Sequence, residues 1–204
     1  MYNFNGSLVR KLTSGENPLG SIVRVDQKKS LVYYTAYHNM GLDEYFHVVS
    51  FDGESTQLSE SDGRYTISMN EAAEYYVSRS SSFDRPYAAS MHKADGSLIR
   101  NLQKMNVEKV MEQGLQAPEQ VVFKAADGQT DLVGLVYKPA DFDPTKTYPI
   151  VLPLYGGPAY QDVTNGYKNA DSYQRLAQLG YIVIRANYRG SGNRRVEDIL
   201  FEYI

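Results

Sequence analysis

The chain has 204 residues, 42% hydrophobic and 22% charged, which is ordinary globular composition with room for one large domain or parts of two. Twenty-one Lys and Arg against 24 Asp and Glu leave a net charge of −3, so the sequence carries no electrostatic footprint for nucleic acid or an anionic membrane. No run approaches the roughly 20 apolar residues of a membrane-spanning helix, and the opening Met1-Tyr2-Asn3-Phe4-Asn5 has none of the charge and apolar pattern of an export signal. Zero cysteines exclude disulfides and thiolate metal ligands. Eighteen tyrosines without a tryptophan lean the composition toward β-structure.

The first hundred residues contain an internal repeat. FNGSLVRKLT from Phe4, FDGESTQLSE from Phe51 and ADGSLIRNLQ from Ala94 align on Gly6, Gly53 and Gly96. Asn-Gly and Asp-Gly pairs suit hairpin turns that need positive φ, and a spacing of about 43 to 47 residues is near the period of a four-stranded propeller blade. Each turn reads as a late hairpin of one blade. Between the turns, residues 21–25, 31–37, 45–51, 65–69, 75–80 and 87–92 are short runs rich in β-branched and aromatic residues, about four strands per repeat. An antiparallel sandwich is the alternative for such a pattern. Two blades cannot close a ring of typically 4 to 8, so the propeller reading predicts that Met1 begins inside a longer propeller.

The pattern changes near residue 105. Met105, Val107, Val110 and Met111 have helical spacing, ended by Gly114 and Pro118, and a domain junction between 104 and 105 is expected there. Residues 121–123 and 132–137 form a hairpin around Asp127-Gly128, and Asp141 to Pro144 is a polar turn. Residues 148–155 are a nearly continuous apolar run of the kind a strand buried on both faces requires. A helix over 170–180 presents Tyr173, Leu176, Ala177 and Leu179 as its apolar stripe and stops at Gly180. Residues 181–186 follow as a second buried strand. Strand, helix, strand implies a parallel crossover, so two antiparallel strands lead into the parallel sheet of an α/β domain.

FDPTKTYPIVLPLYGGPAY followed by LAQLGYIVIRANYRGSG, placed after blade-like repeats, resembles the dipeptidyl peptidase IV branch of the prolyl oligopeptidase family of serine peptidases. The specific portion is Tyr155-Gly156-Gly157-Pro158 paired with Arg189-Gly190-Ser191-Gly192 about 30 residues later. The resemblance implies a fold of about two C-terminal β-propeller blades over 1–104, followed over 105–204 by the N-terminal part of an α/β-hydrolase domain, truncated. It implies acyl-enzyme hydrolysis releasing N-terminal dipeptides or short peptides, a peptide substrate for the full-length parent, no cofactor or metal, and a parent that is often exported and can be a homodimer. In that family a tyrosine hydroxyl after the early strand donates to the oxyanion of the tetrahedral intermediate, and Tyr155 matches it; Gly156, Gly157 and Pro158 form the adjoining substrate loop. Read without the resemblance, Tyr155 better suits the cap of a buried strand; with it, the oxyanion role is favoured. The chain departs from the family at Asn187-Tyr188, where an aspartate and a further residue usually precede Arg-Gly-Ser-Gly, and at Pro153.

Acyl transfer needs a nucleophile, a base and an orienting acid, which in this fold follow in the order serine, acid, histidine. No G-x-S-x-G occurs, and Gly190-Ser191-Gly192 has the wrong spacing for the elbow. His38, His47 and His92 all precede the hydrolase-like segment and read as strand histidines. The chain by itself is therefore expected to be inactive. Arg189 to Gly192 has no Walker lysine and no G-x-G-x-x-G spacing, so a phosphate cradle is not indicated. Asp43-Glu44 reads as a solvated turn with no role. A non-catalytic propeller-based interaction module is the competing reading, and a hydrolase of small esters a third.

Overall fold

The computed structural model describes residues 1–13, 15, 17–108, 112, 116–155, 157, 160–167 and 172–194. Eight strands come first: β1 (Leu19–Asp26), β2 (Leu31–His38), β3 (Asp43–Ser50), β4 (Ser55–Gln57), β5 (Arg64–Met69), β6 (Tyr75–Ser81), β7 (Ala88–Lys93) and β8 (Leu98–Lys104). β1 to β4 form one antiparallel meander and β5 to β8 another, joined in one sheet by a single parallel bridge from Glu44 to Arg64. Each meander alternates side chains between two faces. The inward set of the first, Tyr33 and Phe46, meets Ala73 and Tyr76 of the second in a shared core, with Phe46 edge-on to Tyr76 at 4.9 Å.

The three repeat turns are the same turn. Gly6, Gly53 and Gly96 have φ of 82°, 92° and 92°. In each, the glycine N–H donates to the carbonyl three residues back, Asn3, Ser50 and Lys93, at 2.9 to 3.0 Å. The N–H of that earlier residue donates in turn to the residue after the glycine, Ser7, Glu54 and Ser97, at 2.9 Å. Gly53 and Gly96 connect β3 to β4 and β7 to β8, the third hairpin of each meander. The left-handed φ is what fixes glycine there.

The second half is a four-stranded mixed sheet in the order β11-β12-β10-β9, built from β9 (Glu119–Lys124), β10 (Asp131–Tyr137), β11 (Ile150–Val151) and β12 (Ile182–Ala186), with helix α1 (Ser172–Gln178) between the last two strands. β11 and β12 are parallel; β12 to β10 and β10 to β9 are antiparallel. β10 is central, and its Val133, Leu135 and Tyr137 pack with Val183, Ala177, Val163 and Leu42 in a second core. A Cβ on Gly134 would strike the Arg185 carbonyl at 2.7 Å, which accounts for glycine in mid-strand.

Four expectations need correction. The apolar run 148–155 pairs over only two residues, Ile150 with Ile182 and Val151 with Val183, and Ile150, Leu152 and Leu154 are exposed. Pro153 lacks the N–H that continued pairing would require. Leu179 lies beyond the end of α1 and is exposed, whereas Ala177 is fully buried. Asp43-Glu44 is not a solvated turn: it opens β3, Asp43 is 3% exposed, and Glu44 is ion-paired with Arg64 on the opposite face. Met105 and Val107 are not helical; the N–H of Glu112 bonds the Glu108 carbonyl at 2.9 Å, while Val110, Met111 and Gly114 lie outside the described residues.

Candidate active site

Tyr155 stands four residues past β11, 71% exposed, its ring tilted against that of Tyr160 at 4.7 Å. Gly157 lies under this ring, where a Cβ would run into the Tyr155 Cε1, so a side chain at 157 would push the phenol away. Gly156 and Pro158 lie outside the described residues. The hydroxyl of Tyr188 donates to the Gly157 carbonyl, so the two motifs paired in the sequence touch in space.

The second motif is a closed turn. Tyr188 N–H donates to Ser191 Oγ at 2.9 Å and Ser191 N–H to the Tyr188 carbonyl at 3.0 Å. Ser191 is fully buried with its hydroxyl occupied in this way, a structural serine and no nucleophile. Arg189 reaches Asp127 at 3.1 Å, tying the turn to the β9–β10 hairpin. Asn187, 2% exposed, turns both its amide oxygen and its amide nitrogen on the loop that follows Tyr155: Oδ1 accepts from Asp162 N–H at 3.1 Å and Val163 N–H at 2.8 Å, and Nδ2 donates to the Val163 carbonyl at 2.9 Å. Beside it, buried Arg185 pairs with Asp162 at 2.6 Å and lies over the Tyr173 ring at 4.5 Å. Asn187 and Tyr188 thus both hold the loop that carries Tyr155. Sequence reasoning passed over them because an asparagine after a strand carries no local signal of a partner 24 residues away.

The same loop is fastened to the meanders. Asn165 Nδ2 donates to Asp43 Oδ1 at 2.6 Å and to Asp62 Oδ1 at 3.0 Å, and its N–H donates to the Leu42 carbonyl at 2.8 Å. Asp43 also accepts from Gly63 N–H and the Tyr45 hydroxyl, at 3.0 and 2.9 Å.

The histidines sit in the meanders, away from Tyr155. His38 and His47 share an Nε2 to Nε2 hydrogen bond of 3.2 Å, and His92 bonds Ser90 Oγ at 2.8 Å and the Gly96 carbonyl at 3.1 Å. Burial, and secondarily the neighbouring His38, push His47 down to about 4; burial lowers His38 as well, against the opposing pull of Asp43. No group of three or more metal-ligating side chains occurs among the described residues.

Comparison with known proteins places this architecture. Residues 1–87 match the dipeptidyl peptidase IV N-terminal region. Over 198 residues, 90% of the chain, the sequence is 30% identical to human dipeptidyl peptidase 8 and 29% identical to the mouse protein of that name. The chain spans 22% of the length of each of these relatives. The crystal structure of Porphyromonas gingivalis dipeptidyl peptidase 4 superposes with a TM-score of 0.86 at 26% identity, covering 99% of this chain and 29% of that one. The chain belongs to the dipeptidyl peptidase IV-like family.

Proposed function

We propose that this chain supplies the oxyanion donor of a serine peptidase that releases N-terminal dipeptides or short peptides, with Tyr155 as donor and Gly156, Gly157 and Pro158 as the adjoining substrate loop. In this reading residues 1–104 are C-terminal blades of a β-propeller and residues 105–204 the N-terminal part of an α/β-hydrolase domain. The observation that carries it is the exposed Tyr155 ring on a loop after the parallel strand β11, held from below by Gly157 and Tyr188. A strand-capping tyrosine buries its ring; this one leaves its hydroxyl free to meet a substrate carbonyl.

The step follows from charge. Attack by the serine of the complete enzyme turns the scissile carbonyl oxygen into an oxyanion, and a phenol O–H aimed at that position stabilises it more than the ground-state carbonyl. Nucleophile, base and acid would come from the remainder of the parent enzyme, so the 204-residue chain alone turns over no dipeptidyl substrate. A peptide is the substrate of that parent, and a homodimer its proposed assembly.

The test is Tyr155→Phe in the full-length enzyme that contains this chain. Loss of one oxyanion donor lowers kcat by about 100- to 1,000-fold with KM little changed. An unchanged kcat, or hydrolysis of a dipeptidyl chromogenic amide by the isolated chain, would sink the proposal.

A further inference from the structure

The segment from Tyr160 to Tyr167, which follows Tyr155 in the chain, runs between the two halves of the molecule, and an asparagine fastens it on each side, beside the Arg185–Asp162 pair on the sheet side and the Tyr167 N–H bond to Ser81 Oγ on the meander side. Asn187 holds residues 162 and 163 to the mixed sheet. Asn165 fixes the segment to the meanders, and it reaches three separate loops. Its Nδ2 donates to Asp43 at the start of β3 and to Asp62 just before β5; its Oδ1 accepts from Phe83 N–H, just after β6, at 2.9 Å; its own N–H bonds the Leu42 carbonyl. Every polar atom of the side chain is used. An amide is the group that can do this, because two carboxylates demand donors and the Phe83 N–H demands an acceptor. Aspartate here would set three carboxylates together.

From Asn165 the connection back to Tyr155 is short. Gln161 Nε2 donates to the Val163 carbonyl at 2.9 Å, bracing the bend of the segment, and the neighbouring Tyr160 carries the ring against which Tyr155 rests. The place where the meanders hold Asn165 therefore sets where the Tyr160 ring stands. An oxyanion donor is sensitive to such placement, since a shift of about 1 Å costs up to about 100-fold in rate.

We propose that Asn165 is a positioning residue through which the meander half of the molecule sets the location of the Tyr155 hydroxyl. The inference rests on the reading of Tyr155 as oxyanion donor. It goes beyond that reading by making the catalytic loop dependent on contacts with Asp43, Asp62 and Phe83, all in the meander half.

A double-mutant cycle in the full-length peptidase separates the two ideas. Asn165→Ala is expected to lower kcat by about 10-fold with KM changed by less than about 3-fold. Placed on Tyr155→Phe, the same substitution is expected to lower kcat by less than about 2-fold, because the group it positions is already gone. Equal losses in both backgrounds overturn the positioning role and leave Tyr155 as donor. No loss in Tyr155→Phe alone overturns the donor reading and this inference with it. Should Asn165→Ala not fold, Asp62→Ala removes one half-exposed acceptor of Asn165, together with a 3.5 Å ion pair to Arg85, and carries the same cycle, with an expected loss of about 2- to 3-fold confined to the Tyr155 background.

Discussion

The Tyr188 hydroxyl donates to the carbonyl of Gly157, 31 residues earlier in the chain, and so clasps the loop after β11 to the turn after β12. The two strands are parallel neighbours, which brings the loops at their C-terminal ends to the same edge of the sheet. Ligand sites of α/β sheets form outside that edge. The clasp gives the Tyr155 loop a fixed floor, with the Gly157 backbone pressed under the phenol ring and no room for a side chain between them.

Tyr188→Phe keeps the ring and removes this bond. Because the carbonyl of Gly157 is half-buried and can take up water, the expected loss is about 0.5 to 1.5 kcal/mol of unfolding free energy, read from urea denaturation. A neutral result would mean that the clasp contributes nothing to stability.

Asn187→Leu leaves the N–H of fully buried Val163 and the N–H of Asp162 without their acceptor, while the Val163 carbonyl keeps its bond from Gln161. At about 1 to 3 kcal/mol for each stranded group, the loss is about 2 to 6 kcal/mol. Asn187→Asp keeps both acceptor bonds but turns a carboxylate oxygen toward the Val163 carbonyl, so this variant should gain stability relative to wild type as the pH falls and the acid regains a donor. Paired urea titrations at pH 7 and pH 4.5 check both substitutions.

The His38–His47 pair makes stability depend on pH in a defined direction. Both groups are lowered in the folded chain, His47 to about 4, whereas the unfolded chain titrates near 6.5. Between those values the unfolded state binds more protons, so the contribution is fully present above about pH 6.5 and is lost as the pH falls toward 4. The His47 part amounts to about 3 kcal/mol. His47→Phe should flatten the slope of unfolding free energy against pH over that window; an unaltered slope would show that the pair does not control it.

The meanders were legible because their signals are local. Turn glycines at 6, 53 and 96 announce a positive φ that only a few residues tolerate, and the aromatic and β-branched runs between them carry the two-residue period of a strand. The run 148–155 misled for the converse reason. Continuous hydrophobicity reports that a segment is apolar, not how many neighbours pair with it, and β11 finds a partner over two residues before Pro153 intervenes. Leu179 was placed on the helical stripe by spacing, yet α1 ends at Gln178 and Gly180, with φ of 93°, turns the chain away.

The amino-acid sequence by itself determined where most of the strands lie, the repeated turns and the two motifs whose pairing points to the family, since each depends on residue types within a few positions of one another. Only the tertiary structure decided what the polar residues between the motifs do. Asp43 and Asn165 meet across 122 positions, Asn187 and Val163 across 24, and Tyr188 and Gly157 across 31. A buried carboxylate or amide is stable only where donors and acceptors converge on it. That convergence comes from how the two halves of the molecule pack, and no local pattern in the chain records it.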